Sequence, residues 1–240
     1  SASMITLYQP PPQFGCANPS PFCIKLEVLL KMSGLPYTVR IEGNPANGPT
    51  GKIPYIEDEG QFLGDSGRIQ HYLEQHYGID FNAGLGPRER AEGVAFTRLA
   101  DEHLYWAMVY SRWIEDEHWN VIKPVFFGDL PFPLRIIVPR VARKRLRAAL
   151  HGHGLGRHDR DTVYALGAED LKAIADFLGK RDFAFGAEPK AVDAALYGQL
   201  SAIIDAPFDT PLQRAALSHD NLVAYCKRMR ARFFPDLPPV

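Results

Sequence analysis

Hydrophobic periodicity changes once along this 240-residue chain, at Gly84-Leu85-Gly86-Pro87. Upstream, short apolar runs alternate with polar residues between Gly and Pro, the pattern of strands. Downstream, apolar residues recur at spacings of three and four and no further strand-like run appears. Strands confined to the first third require a small sheet domain followed by an all-helical one, and the change predicts domains over 4–84 and 87–240. Hydrophobic residues make up 46% of the chain and charged ones 23%, enough apolar surface for two modest cores. A net charge of −1 gives no global attraction to nucleic acid or anionic lipid, so no nucleic-acid partner is expected and membrane contact would need a local patch. Three scattered cysteines suit neither a disulfide framework nor paired zinc ligands, and no metal is expected. No run reaches the roughly 18 apolar residues of a membrane span, and no secretion signal opens the chain, which together predict a reducing cytoplasm. Ser1-Ala2-Ser3 ahead of Met4 reads as an expression scar.

Ile5 to Tyr8 reads as a strand that Pro10-Pro11-Pro12 must end, because proline supplies no ladder donor. Ser20 is a good N-cap, Pro21 suits the first helical position, and Phe22, Leu26, Leu29 and Leu30 line one face of a helix that Gly34 ends. Tyr37, Val39 and Ile41 alternate as a second strand, and residues 43–51 form a Gly/Pro/Asn-rich link. Ile53 to Ile56 and Gln61 to Leu63 flank the turn Asp58-Glu59-Gly60, and Asp65-Ser66 opens a helix with Ile69, Tyr72 and Leu73 on its apolar stripe.

Strand, helix, strand, link, hairpin, helix is the thioredoxin-like order, and Ser20-Pro21-Phe22-Cys23 stands where that fold carries Cys-Pro-Phe/Tyr-Cys. A helix start concentrates unpaired N–H groups and positive dipole, so a thiolate held there is stabilised. With serine first, the chain has no nucleophilic sulfur at that spot. The sulfur must come from a ligand, and the Ser20 hydroxyl can donate a hydrogen bond to its thiolate.

Through Leu7-Tyr8, Ser20-Pro21-Phe22, Gly51-Lys52-Ile53-Pro54, Asp65-Ser66 and the helical second half, the sequence resembles the glutathione transferase family over almost its whole length. Leu7-Tyr8-Gln9-Pro10, the run from Ser20 to Glu27, Glu102 to Trp106 and Gly154 to His158 make it similar to the metaxin and failed-axon-connections branch. The resemblance implies a thioredoxin-like N-terminal domain and an all-α C-terminal domain, glutathione as co-substrate, Ser20 as the catalytic residue, and usually a homodimer. It further implies a cis Ile53-Pro54 bond, with the Ile53 backbone pairing the cysteinyl part of glutathione. Asp65 and Ser66 would hold the γ-glutamyl end, Lys52 would approach the glycyl carboxylate, and Tyr105, Trp106, Tyr110, Arg112 and Trp113 would line a pocket for a small electrophile.

Other readings of the same residues stay open. Ser20 alone is explained by helix capping, and the aromatic stripe by core packing. Tyr8 rivals Ser20 as the hydroxyl donor, or lines the pocket. Cys16 and Cys23 form a redox pair if the long loop between Tyr8 and Ser20 brings them together. Three functions follow: a glutathione transferase, a non-catalytic binding or scaffold protein, or a glutathione-dependent thiol-disulfide oxidoreductase.

In the helical half, Ala95, Leu99, His103, Trp106, Tyr110 and Trp113 predict one long helix, with others around 139–150, 168–179, 191–204 and 220–231. The resemblance also implies that Asp193 is the family's buried acid, accepting N–H bonds at its helix start, with Lys190 where the family usually carries Ser or Thr. Residues 124–158 form an insert in which no acid lies between Asp129 and Asp159, while Arg135, Arg140, Arg143, Lys144, Arg145 and Arg147 interleave with aliphatic residues. A solvated basic helix explains it, and contact with a membrane surface or an acidic partner is the sharper alternative.

Overall fold

The computed structural model describes residues 4–238, so the Ser1-Ala2-Ser3 stretch lies outside it. Strands β1 (Ile5–Gln9), β2 (Tyr37–Ile41), β3 (Tyr55–Asp58) and β4 (Gln61–Gly64) form one sheet in the order β2-β1-β3-β4. β1 runs parallel to β2 and antiparallel to β3, and β3–β4 is the hairpin. Because strand side chains alternate, Ile5 and Leu7 enter the core beneath helices α1 (Pro21–Ser33) and α2 (Ser66–Tyr77), while Tyr8 faces the other way. The alternation in β2 has a different cause from the one the sequence suggests. β2 is an edge strand, and Val39 and Ile41 are exposed on it.

After α2 every named element is helical. The long helix is a composite of α3 (Pro87–Arg98), a π turn at Leu99–Leu104, α4 (Tyr105–Val109) and a second π turn at Tyr110–Ile114. Then come α5 (Asp116–Phe127), α6 (Leu134–His153), α7 (Arg160–Leu178), α8 (Ala191–Ile204), α9 (Pro211–Leu217) and α10 (Asp220–Phe233). α6 begins upstream of the predicted 139 because Pro139 sits inside it, and α7 begins at Arg160, where the Asp159 carboxylate accepts from the Thr162 N–H at 2.8 Å. α5 and α9 were not legible as helices: Pro124 interrupts the first, and the second has only two turns.

α8 is the spine, buried from Ala191 to Ile203. Asp193 at its start accepts from the Lys190 N–H at 2.7 Å, the Ala184 N–H at 2.9 Å and the Tyr225 hydroxyl at 2.7 Å. The missing Ser/Thr cap is thus offset by a tyrosine from α10. Midway along α8, Gly198 lets the start of α1 approach so closely that a Cβ there would stand 2.4 Å from the Pro21 carbonyl oxygen. That contact seats the first turn of α1 on the helical domain.

The long loop between β1 and α1 is fixed from both sides. Asn18 Nδ2 donates to the Pro10 carbonyl at 2.8 Å, Arg230 of α10 donates to the Gly15 carbonyl at 2.9 Å, and Arg112 donates to the Pro19 carbonyl at 2.8 Å. Phe14 and Gly15 both take positive φ, +59° and +71°, at the turn these bonds hold.

Candidate active site

Ser20 stands at the start of α1 in extended conformation, φ −98° and ψ 126°, and its carbonyl accepts the first helical bond from the Ile24 N–H. Its side chain makes no capping bond, contrary to the simple reading of a Ser-Pro pair. The hydroxyl lies instead beside the Cys23 thiol, and the first N–H groups of α1 keep no side-chain cap. A sulfur anion at this spot would meet a hydroxyl not used in capping and the positive end of a helix.

Cys23 itself cannot supply that anion. Burial pushes its thiol up to about 12, with Glu27 adding to the rise and Ser20 opposing it. Cys16 is also buried, its thiol pushed up to about 11 chiefly by burial, and its Sγ lies 3.7 Å from the Ser201 carbonyl oxygen in a cluster with Trp119, Ile122 and Phe208. The neighbours that act on the two thiols have no residue in common, and all three cysteines are free. The Cys16–Cys23 redox pair is therefore not formed in this structure. The loop is held by Arg112 and Arg230 and by the packing of Cys16 on α8.

The Ile53–Pro54 bond is cis, as the resemblance implies. The β1–β3 ladder ends at Tyr8↔Tyr55, which leaves the Ile53 backbone outside it. Asp65 has φ +70° and ψ 116°, a region that costs a non-glycine residue roughly 1–3 kcal/mol, and its carboxylate accepts from the Arg68 N–H at 3.0 Å. Lys52 is exposed, before the cis proline.

One group at this end went unread in the sequence. Lys25, buried two residues beyond Cys23 on α1, places its Nζ 3.0 Å from Ser66 Oγ and 2.8 Å from Asp101 Oδ2, which comes from the first π turn of the long helix. A lysine among Ile24, Leu26 and Leu29 looks like the solvated edge of an amphipathic helix. Only the approach of two further elements shows that it is enclosed. The ammonium can only donate, so it occupies the acceptor side of the Ser66 hydroxyl and leaves that proton for a carboxylate. Asp101 Oδ1 is buried and has no hydrogen-bond partner among the described residues. An orphaned buried carboxylate oxygen next to Ser66 fits an ammonium group.

The six proposed pocket residues do not stay together. Tyr105 packs edge-on against Phe22 with centroids 4.8 Å apart, beside the helix start, and burial pushes its phenol up to about 12. Arg112 is a buried anchor: its Nη groups donate to the Pro19 and Ala202 carbonyls at 2.8 Å each, between the Phe14 and Phe208 rings. Trp106 meets the Tyr105 ring at 5.3 Å and also His153, whereas Tyr110 turns to Tyr164, and Trp113 to Trp119 and Phe126. Tyr8 is corrected too. Its hydroxyl donates to Glu57 at 3.0 Å and its ring stacks on Tyr55 at 4.6 Å, on the sheet face away from α1. The β1 hydroxyl is thus spent within the sheet.

A groove of about 510 Å3 opens at the far end of α1, lined by Lys31, Ile79, Phe81, Lys190 and Arg232 among others. Its cations already have partners: Lys31 donates to the Phe233 carbonyl, Lys190 to the Ala83 carbonyl and Arg232 to Glu188. Size does not make it the reacting site, because no activated hydroxyl or thiol faces it.

Comparisons with known proteins agree with this geometry. Residues 21–118 match the model of the glutathione S-transferase N-terminal domain, and residues 167–229 that of the glutathione S-transferase C-terminal domain. The isoprene-epoxide–glutathione S-transferase of Rhodococcus sp. (strain AD45) is 31% identical over 236 residues, covering 96% of this chain and 99% of its own. Failed axon connections of Drosophila melanogaster is 27% identical, covering 90% of this chain and 55% of its own. Human metaxin-2 is 24% identical, with 89% and 82% covered. Among solved structures, a glutathione S-transferase from Methylobacterium radiotolerans in complex with glutathione sulfonate superposes with a TM-score of 0.62 at 19% identity, over 99% of this chain and 95% of that one. That likeness shows the fold, and the Rhodococcus enzyme shows the relationship along the whole sequence. With a serine hydroxyl not used in capping at the start of α1, a cis proline before β3 and kinship extending through both halves, the chain belongs to the glutathione S-transferase family.

Proposed function

We propose that the protein binds glutathione along the first turn of α1 and directs its sulfur at a small electrophile of the epoxide class. The observation that carries this reading is the Ser20 hydroxyl, released from capping at a helix start where the protein's own thiol is held protonated. In this reading the hydroxyl and the dipole of α1 stabilise the thiolate. The Ile53 backbone takes the cysteinyl unit, Ser66 the γ-glutamyl carboxylate, and Asp101 with Asp65 its ammonium. Lys52 approaches the glycyl carboxylate. Phe22 and Tyr105 form the apolar wall for the electrophile. The thiolate attacks a ring carbon, the C–S bond forms as the C–O bond opens, and the alkoxide takes a proton. The epoxide class rests on the Rhodococcus relative, which shares the full length of the chain. The same reading makes the protein a cytoplasmic homodimer, which light scattering and fractionation check.

Calorimetry with glutathione, followed by glutathione consumption with a small aliphatic epoxide, tests the proposal. Saturable binding and epoxide-dependent consumption are expected. Absence of binding would remove it in favour of a non-catalytic scaffold, the reading favoured by the 27% and 24% matches to failed axon connections and metaxin-2. Binding without consumption of any epoxide would remove the proposed chemistry.

A further inference from the structure

α5 and α6 take no part in the site just described. α6 packs inward through Pro139, Leu146 and Leu150, and through Arg143, which donates to the Trp113 and Ile114 carbonyls at 2.8 and 2.9 Å and lies over the Trp119 ring. At 3.6 residues per turn these four positions share an arc of about 60°. Half a turn away, where a surface helix ordinarily carries its charges, α6 carries Leu134, Ile137 and Val141, exposed to 46%, 51% and 42%. Phe132, just ahead of the helix, is 71% exposed. Arg140, Lys144 and Arg147 border this outward stripe on one side and Arg145 on the other, all exposed, and no acid lies between Asp129 and Asp159.

We propose that the outward face of α6, led by Phe132, Leu134, Ile137 and Val141, docks on the surface of an anionic lipid bilayer. An aliphatic stripe bordered by cations matches an interface in which acyl chains receive the stripe and acidic headgroups meet the flanks. A second copy of the chain is the poorer complement, because pairing two such faces sets like charges against one another. No helix among the described residues is long and apolar enough to cross a membrane, and α6 would lie in the interface plane.

Flotation of the full chain with phosphatidylcholine vesicles, with and without phosphatidylserine, reads the proposal directly. The protein should float with the phosphatidylserine vesicles, and less so as salt rises. Ile137→Asp with Val141→Asp should abolish flotation. Arg140→Gln with Lys144→Gln, which keeps the stripe, should lower partitioning by about thirtyfold. All four side chains are exposed, so the melting temperature serves as the folding control. Three results would overturn the proposal: no flotation with the acidic vesicles, equal flotation of the wild type with pure phosphatidylcholine, or a wild-type dimer that the aspartate variant splits into monomers.

Discussion

Lys25 on α1 and Arg112 on the second π turn are both buried cations beside the start of α1, the first met by Asp101 from the first π turn and the second reaching the loop ahead of α1. Lys25 meets side chains: Ser66 Oγ and Asp101 Oδ2, with Asp101 Oδ1 left over. Arg112 meets main chain: the Pro19 and Ala202 carbonyls, with two aromatic rings enclosing the guanidinium and only its Nε without a partner. Main-chain partners fix where a loop runs. Side-chain partners, one of them with unspent hydrogen-bonding capacity, prepare a place for something else. Burial alone does not separate the two. Fully closed ion pairs are seldom sources of stability, so a buried pair beside a ligand residue points to positioning.

The comparison is most exposed to a change at Lys25. Lys25→Met leaves Asp101 buried without its counter-ion and should cost about 3–5 kcal/mol in denaturant unfolding. Lys25→Met with Asp101→Leu should recover most of that loss while glutathione affinity stays low. Recovery of both would reduce the pair to scaffolding. Arg112→Met should cost about 2–3 kcal/mol, because two buried carbonyls lose their donors. Its signature should be faster amide exchange over residues 10–19, with the glutathione Kd changed by less than about threefold. A Kd change as large as that of the Lys25 variant would erase the distinction. Gly198→Ala forces a Cβ against the Pro21 carbonyl and should cost about 1–3 kcal/mol by lifting α1 from α8. The smallest change in stability should come from Ser20→Ala, below about 0.5 kcal/mol in the same titration. A loss near 1 kcal/mol would mean the hydroxyl caps its helix after all.

The succession of elements, the hairpin and the start of α1 were legible because each is written locally, in turn residues, alternation and proline position, whereas the cis proline came only from the family resemblance. Lys25 and Asp101 were not. They are 76 positions apart, and neither type carries a local sign of burial. The aromatic helix shows the opposite failure, in which a local pattern was read as a single face. Tyr105 and Trp106 keep their rings in contact at 5.3 Å and reach on to Phe22 and His153, while Tyr110 and Trp113 turn to Tyr164 and Trp119, so one stripe serves several separate partners. Arg112 announced itself as a polar group among aromatics, but whether it faced a ligand or a carbonyl depended on a loop fixed from α10 and α8. Val39 and Ile41 teach the same lesson for strands, since alternation cannot tell an edge from a centre.

The central claim is that Ser20 and the start of α1 hold the sulfur of glutathione as a thiolate. Ultraviolet absorbance of the thiolate in the glutathione complex, followed against pH for wild type and Ser20→Ala, tests it most directly. Free thiols of this kind ionise near 8.5, and a helix start with a hydroxyl donor should bring the bound one to about 6.5–7, with the alanine variant returning most of the way. Because the complex then prefers the ionised form, affinity should rise as pH climbs from the bound value to the free one and level off above it. Bound glutathione that ionises near 8.5 in both proteins would contradict the account.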